Sequence, residues 1–478
     1  MLLTVDIGTS SFKSALWDFD GRRLAFAARP LSMTGDGGVR HEAESGQWLR
    51  AFADCCAALG AESFAAPLAS VEAVVISGNG PSLTPVFGGP EIAGGGIRIA
   101  AAPARLWLDR RAAEAATEVS ACVGDFVDAS FYLPKALDIK NNEPDLYQRT
   151  KYFLGCPELL AFALTGETRT VFPAEGFGRW FWNGTILRRL NLDAAKFPPF
   201  ISPGEIFGAL LPAAAKCFGL PPNIPVISGG PDFFVSILGA GVAVPGQVCD
   251  RAGTSEGINA CTEKRIVDRR LMSYGHPVKP FWNLSGIIST TGKAIEWGRD
   301  FLALKSFNEF FTLAENAETG ADALVFLPYL AGERAPVWNP SARGVLRGLG
   351  LSSGRAEFAR AVLEGICYAI RDVLSVMEEA GASTGELRVS GSVSESAFLN
   401  QIKADITGKE VLIPAQKEAE LLGLAIIGSC VLGKYASYAE AASVLVRIES
   451  RFRPDEKKLN WYSRIFDEYR ETYRKLYG

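Results

Sequence analysis

LLTVDIGTSSFKSALWDFDG, residues 2–21, opens the chain, and VCDRAGTSEGINACTE, residues 248–263, repeats its plan in the second half. In each, an apolar run suited to a buried strand ends in Gly-Thr-Ser, and a second strand-like run follows. In the first copy these runs are Leu2 to Val5 and Ser14 to Trp17, with Asp20-Gly21 turning the second. Such a turn offers backbone N–H groups and hydroxyls, and Lys13 adds a cation just after the first one. This is the equipment for cradling phosphate oxygens. Neither copy fits G-x-x-x-x-G-K-[ST], so a P-loop is not indicated. The recurrence of Gly8-Thr9-Ser10 as Gly253-Thr254-Ser255 predicts two α/β halves, each opening on a hairpin, that grip a polyphosphate from both sides.

A second stretch sets the chemistry. IPVISGGPDFFVSILGAG, residues 224–241, is a short apolar strand, Gly-Gly-Pro, one carboxylate and an apolar helix. Asp232 at that junction is a good helix cap, accepting from free N–H groups and complementing the helix dipole. The paired glycines also let backbone approach a ligand closely. Asp6, like Asp232, follows an apolar strand. A carboxylate beside a triphosphate commonly serves a magnesium ion, often through water. One beside an acceptor hydroxyl can take its proton during phosphoryl transfer.

At 478 residues the chain suits two domains, and 48% hydrophobic with 21% charged residues describes a globular protein. A net charge of −4 without a basic stripe argues against coating nucleic acid. Nine cysteines without C-x-x-C, and only His41 and His276, disfavour a zinc site and suit reduced thiols in the cytoplasm. MLLTVDIGTSS reaches Asp6 too early for a signal peptide. Leu421 to Gly433 (LLGLAIIGSCVLG) is too short for a membrane span and reads as a core helix whose small residues allow close packing. The remaining order is mixed α/β twice over. Arg355 to Met377 shows a helical stripe of Phe358, Val362, Leu363, Ile366 and Ile370. The boundary falls near Gly241 to Gly246, dividing the chain into domains at 1–243 and 244–478.

Taken together and in order, these motifs resemble the FGGY carbohydrate kinases, most closely the xylulokinase-like branch. DIGTSSFKSALWD is similar to the family's first phosphate motif and AGTSEG to its second; GGPDFFVSILGAG resembles the catalytic segment. LPYLAGERAPVWNPSARGVLRGL, from Leu327, is similar to the family's Tyr-Leu-x-Gly-Glu-Arg loop, and SGSVSESAFLNQIKAD to its adenosine-side signature. The resemblance implies an α/β fold of two actin-like (ribonuclease H-like) ATPase domains with sugar and ATP in the cleft between them. It makes Asp232 the general base and places Asp6, with Asp232, beside magnesium. Gly8, Thr9, Ser10, Lys13, Gly253, Thr254 and Ser255 would face the phosphates. Gly292 and Glu296 take nucleotide-contact positions, and Gly391 and Ser392 approach the adenosine by backbone.

The chain departs from the family around the acceptor. Phe233 follows the catalytic Asp where a polar residue is common, and Gly80-Pro81 replaces a Met-His pair. Ser392 and Val393 stand where glycine is usual, and Asp138, near Lys135, where Trp is typical. Gly80, Pro81, Asp232 and Phe233 are accordingly the expected acceptor contacts. Trp180 and Trp182 suit either a sugar face or packing, and Glu333-Arg334 suits either a ligand clamp or, by preference, an ion pair holding its loop; the histidines carry no role. The expected reaction is ATP- and magnesium-dependent phosphorylation of a primary hydroxyl on a small sugar or polyol, a xylulose-like ketose first. No nucleic-acid or membrane partner is expected, and a homodimer is compatible with the sequence. The rival readings are an actin- or chaperone-like ATP-binding protein and a catalytically retired sugar sensor on the same scaffold.

Overall fold

The computed structural model describes residues 1–62, 68–93 and 96–477. The chain groups into two compact units: Met1–Gly239 with Glu420–Leu445, and Ala240–Ala419 with Val446–Gly478. Each has its own apolar core.

The first unit is built on a six-stranded sheet in the order Ile206–Ala209, Pro225–Pro231, Ala73–Gly78, Leu2–Ile7, Ser11–Trp17, Arg23–Pro30. Its three central strands run parallel, and the outer pairings are antiparallel. Leu2–Ile7 and Ala73–Gly78 are buried throughout, as expected of strands covered on both faces.

The second unit repeats this order. Trp282–Ile288, Glu256–Thr262, Gln247–Ala252, Glu386–Ser390, Glu410–Pro414 and Ile448–Phe452 show the same succession of two antiparallel, two parallel and one antiparallel pairing. Met272–Gly275 extends the near edge. The two Gly-Thr-Ser turns therefore sit at equivalent places, each joining a central parallel strand to its antiparallel neighbour. The helix expected over Arg355 to Met377 runs Arg355–Glu379, with Val362, Leu363, Ile366 and Ile370 buried.

One element returns from far along the chain. Ala419–Val431 is a helix whose leucines and isoleucines are buried on every side, which fits its apolar sequence. It lies against the strand and helix around Asp232. A side chain at Gly423 would meet the Val235 carbonyl at 2.0 Å, and one at Gly229 would meet Leu424 at 2.1 Å. Glycine at both positions is thus a condition of the contact. Among the described residues no helix is long and apolar enough to cross a membrane.

Candidate active site

Strand register assembles the first unit's candidates. Asp6 pairs with Lys13 on one side and Ser77 on the other, and Ser77 pairs in turn with Gly230. Gly230, Ser77, Asp6 and Lys13 thus form one row across four neighbouring strands. With strands about 4.8 Å apart, the row spans roughly 15 Å. The second strand of the hairpin begins at Ser11, three residues before its expected start, because the Phe12–Ile7 pairing buries Phe12 in the core. Lys13 is therefore a strand residue in register with Asp6 and lies outside the turn.

Beyond the row, the same ends of the parallel strands carry the other candidates. Asp232 heads the helix Asp232–Gly239, its carboxylate accepting from the Phe233 N–H at 2.6 Å. Ser77 Oγ ties the neighbouring strand to this segment by donating to the Gly230 carbonyl at 2.8 Å. Asn79 donates from backbone and side chain to the Ile7 carbonyl, at 2.8 and 2.9 Å. Burial pushes the nearby Cys156 thiol well up, and the charges of Glu158, Asp6 and Asp232 add to the effect. In the turn itself, the Gly8 N–H donates to the Ser11 carbonyl at 2.9 Å, and Thr9 Oγ1 accepts from the Trp107 indole at 2.9 Å.

Gly80 and Pro81 lie just past the central strand. Buried Lys135 donates to the carbonyls of Pro81 (2.7 Å), Leu106 (2.7 Å) and Arg105 (3.3 Å), so one ammonium orders this loop and the backbone beside Trp107. Burial pulls its pKa well down. Asp138, at the departure noted in the sequence, is a buried partner of Arg105 at 2.5 Å. Phe233 stacks on Phe177 with ring centroids 6.0 Å apart. Trp182 packs among Phe197, Phe200 and Tyr132 as core. Trp180 stacks on Phe131 and lies beneath the Arg179 guanidinium.

In the second unit the turn Gly253–Ser255 closes through the Gly253 N–H to the Ser255 carbonyl at 3.0 Å. Its other carbonyls are taken by the start of the helix Gly292–Phe301. Gly292 donates to the Gly253 carbonyl at 3.0 Å, and Thr291 and Lys293 donate to that of Thr254 at 3.2 and 3.3 Å. The N–H groups of Thr254 and Ser255 stand outside these bonds. A side chain at Gly292 would come within 2.5 Å of the Gly253 carbonyl. Gly391 follows the parallel strand at φ 91°, where a side chain would meet the Ala252 carbonyl at 2.1 Å. So Gly253–Ser255, Gly292 and Gly391 meet at one end of the sheet. Ser392 opens the short 3₁₀ turn that follows; its side chain lies outside the described residues. Glu296 sits one helical turn past Gly292 and pairs with Lys293 at 2.6 Å.

The long loop is tied by Glu333, whose Oε1 accepts from the N–H groups of Ser289 (2.7 Å) and Arg334 (2.8 Å). Burial pushes this carboxyl up to about 7. His276 is buried, and burial pulls its ring down to about 3. Sequence reasoning passed over Trp107 and a buried triad, Asp250–Lys403–Glu256, under the second turn. A charged residue amid the apolar Leu399, Ile402 and Ile406 of a helix was the signal available for Lys403.

Two α/β units of one plan, each with a Gly-Thr-Ser turn at a central strand, make a two-domain fold of the actin-like ATPase type. A model of the FGGY family of carbohydrate kinases, N-terminal domain, matches residues 1–239, and one of its C-terminal domain matches residues 251–431. The chain belongs to the FGGY family of carbohydrate kinases and is a sugar kinase; kinases of this family use ATP. Xylulose kinase of Escherichia coli (strain K12) is 28% identical over 493 residues, covering 100% of this chain and 98% of that enzyme. Gluconokinase of Bacillus subtilis (strain 168) is 28% identical over 350 residues, 69% of this chain and 68% of that one. Among solved structures, ligand-bound xylulose kinase from Lactobacillus acidophilus aligns with a TM-score of 0.86 at 21% identity, covering 100% of this chain and 98% of that chain. Glycerol kinase from Plasmodium falciparum with ADP aligns at 0.84 and 19%, covering 100% and 98%. These two structural likenesses speak to the fold alone.

Proposed function

We propose that the protein transfers the γ-phosphoryl group of ATP to a primary hydroxyl of a small sugar or polyol, with a xylulose-like ketose as the first acceptor class. The observation that carries the reading is the row Gly230–Ser77–Asp6–Lys13 with Asp232 two residues beyond it. The row and the helix start just beyond it bring a cation and two carboxylates to one end of the sheet.

Asp232 takes the proton of the acceptor hydroxyl as its oxygen forms the bond to the γ-phosphorus; the bond to the β-phosphate oxygen breaks and ADP leaves. Gly8, Thr9 and Ser10 in one unit, and Gly253, Thr254 and Ser255 in the other, offer N–H and hydroxyl groups to phosphate oxygens, and Lys13 offers its charge. Gly292, Glu296, Gly391 and Ser392 take the nucleoside side. Among the described residues no group of three or more His, Cys, Asp or Glu side chains is placed to hold a metal. Magnesium suits this donor set nonetheless, because it binds through one or two carboxylates together with substrate phosphates and water. Asp6 and Asp232 would hold it, and it would neutralise developing phosphate charge.

Gly80, Pro81 and Phe233 face the acceptor. An apolar side chain at 233, stacked on Phe177, offers a C–H face of the sugar packing in place of a hydrogen bond. The match to xylulose kinases along the whole chain supports a ketose, and the likeness to gluconokinase keeps sugar acids in the test. ADP release is measured with ketoses, polyols and sugar acids, in the wild type and in Asp232→Asn. An acceptor that stimulates release in the wild type and not in the variant supports the reading; release independent of every acceptor sinks it.

A further inference from the structure

The second Gly-Thr-Ser turn stands on a buried ionic group. Asp250 lies in the strand before the turn and Glu256 starts the strand after it. Asp250 pairs with Ile258, and Ala252 with Glu256. Side chains two residues apart share a face, so the two carboxylates are diagonal neighbours on one face of the hairpin. The helix Ala397–Thr407 crosses that face and inserts Lys403 between them. Its ammonium donates to Asp250 Oδ2 and, at 2.8 Å, to Glu256 Oε1. All three side chains are at most 2% exposed.

Ionic balance fits this geometry. Burial opposes Lys403's charge, but the two carboxylates outweigh it and hold the ammonium above its ordinary value. Burial and then Glu256 push the Asp250 carboxyl well up. Glu256 is held down against its own burial, chiefly by Lys403. The start of the Gly292 helix is tied to the same turn: the Thr291 hydroxyl donates to the Gly253 carbonyl at 3.2 Å, and the Gly292 N–H donates to it at 3.0 Å. One lysine thus links both arms of the turn to the helix that follows Gly391, and the start of the Gly292 helix binds the turn directly.

A group of this kind is a poor source of stability. Apolar side chains of similar volume commonly replace a buried ionic triad at no cost or with a gain. What apolar packing does not supply is a fixed distance between two backbone arms. We propose that Lys403 is a positioning residue for the nucleotide: it sets the separation of the arms carrying Asp250 and Glu256 so that the Thr254 and Ser255 N–H groups meet the phosphate chain. This rests on the reading of Gly253–Ser255 as a phosphate contact.

Lys403→Met alone leaves two carboxylates buried without their cation and destabilises the protein for that reason. The deciding variant is therefore Asp250→Leu/Glu256→Leu/Lys403→Met, which removes every charge. Calorimetric titrations use Mg-ADP and adenosine as separate probes, with melting as a control. The expected result is melting at or above the wild-type temperature, with ADP affinity lower by roughly tenfold, the scale of one bond to a charged group, and adenosine affinity nearly unchanged. A general disturbance of the domain would lower both alike, and that outcome overturns the proposal. So does ADP binding at wild-type strength in the folded variant. Lys403→Arg is the second variant: it keeps the charge but sets a planar fork between the carboxylates. It is expected to show the same selective loss in smaller degree; equal loss of ADP and adenosine again overturns the proposal. Wild type that binds adenosine and gains no affinity from the phosphates of ADP marks the failure of the phosphate-contact reading itself.

Discussion

The indole N–H of Trp107 donates to the hydroxyl oxygen of Thr9 at 2.9 Å. An indole nitrogen only donates, so Thr9 is the acceptor and its own proton is directed elsewhere. That leaves the hydroxyl set to donate to an anion. Trp107→Phe keeps the ring and removes the donor. A net hydrogen bond of ~0.5–1.5 kcal/mol corresponds to a loss of about 2–10-fold in kcat/KM for ATP. Thr9→Val should show at least this loss, and adding Trp107→Phe to it should cost little more, because the two act through one bond. Fully additive losses in the double variant would sink this account.

Asp232→Asn should fold and bind nucleotide while losing most transfer, by ~10²–10⁴-fold in kcat. The amide keeps the shape and the acceptor for the Phe233 N–H but cannot take the acceptor's proton. Wild-type turnover at saturating acceptor would remove the base assignment.

Thr254→Val should weaken ATP with no change in acceptor affinity. A hydroxyl bond to a charged group contributes ~1.5–3 kcal/mol, or about 10–100-fold. Titration of each ligand separately checks it, and a change confined to the acceptor would speak against the second turn as a phosphate contact.

Glu158 makes stability depend on pH. It is buried, its Oε1 accepts from the Val171 N–H at 3.1 Å, and burial pushes its carboxyl from 4.5 up to about 7. The folded state holds this proton more tightly than the unfolded state. Its contribution is therefore complete below pH ~4.5 and is lost as pH rises through about 7. Glu158→Gln keeps the acceptor and removes the titration. Between pH 4.5 and 8 the variant should gain on wild type by on the order of 3 kcal/mol. Urea unfolding at both pH values measures the difference; parallel curves would exclude Glu158 as the source.

Much of this was legible in the sequence, because the features concerned are local. An apolar run, Gly-Thr-Ser and a second apolar run specify a hairpin within twenty residues, and both hairpins form where the sequence puts them. Asp6 and Asp232 stood out as lone charges at strand ends. Asp250 and Glu256 did not, since each alone looks like an ordinary surface charge; Lys403 sits amid apolar helix residues, but its partners lie some 150 residues away. The helix Ala419–Val431 could be read as buried, but its apolar residues on every side gave no face to say against what. Trp107 was visible in RLWLDRR, yet its partner across 98 residues was not.

That returning helix also governs how the protein can be made. Residues 1–239 leave a synthesising ribosome without the segment Glu420–Leu445 that completes their unit. At ~5–20 residues per second, the groove beside Gly229 and Val75 waits roughly 10–40 s for its cover. During that interval the nascent first unit presents apolar surface that the finished enzyme never shows. Its yield should therefore respond to chaperone supply and to translation speed. A fragment cut after residue 239 should aggregate unless a peptide of residues 420–445 is expressed beside it.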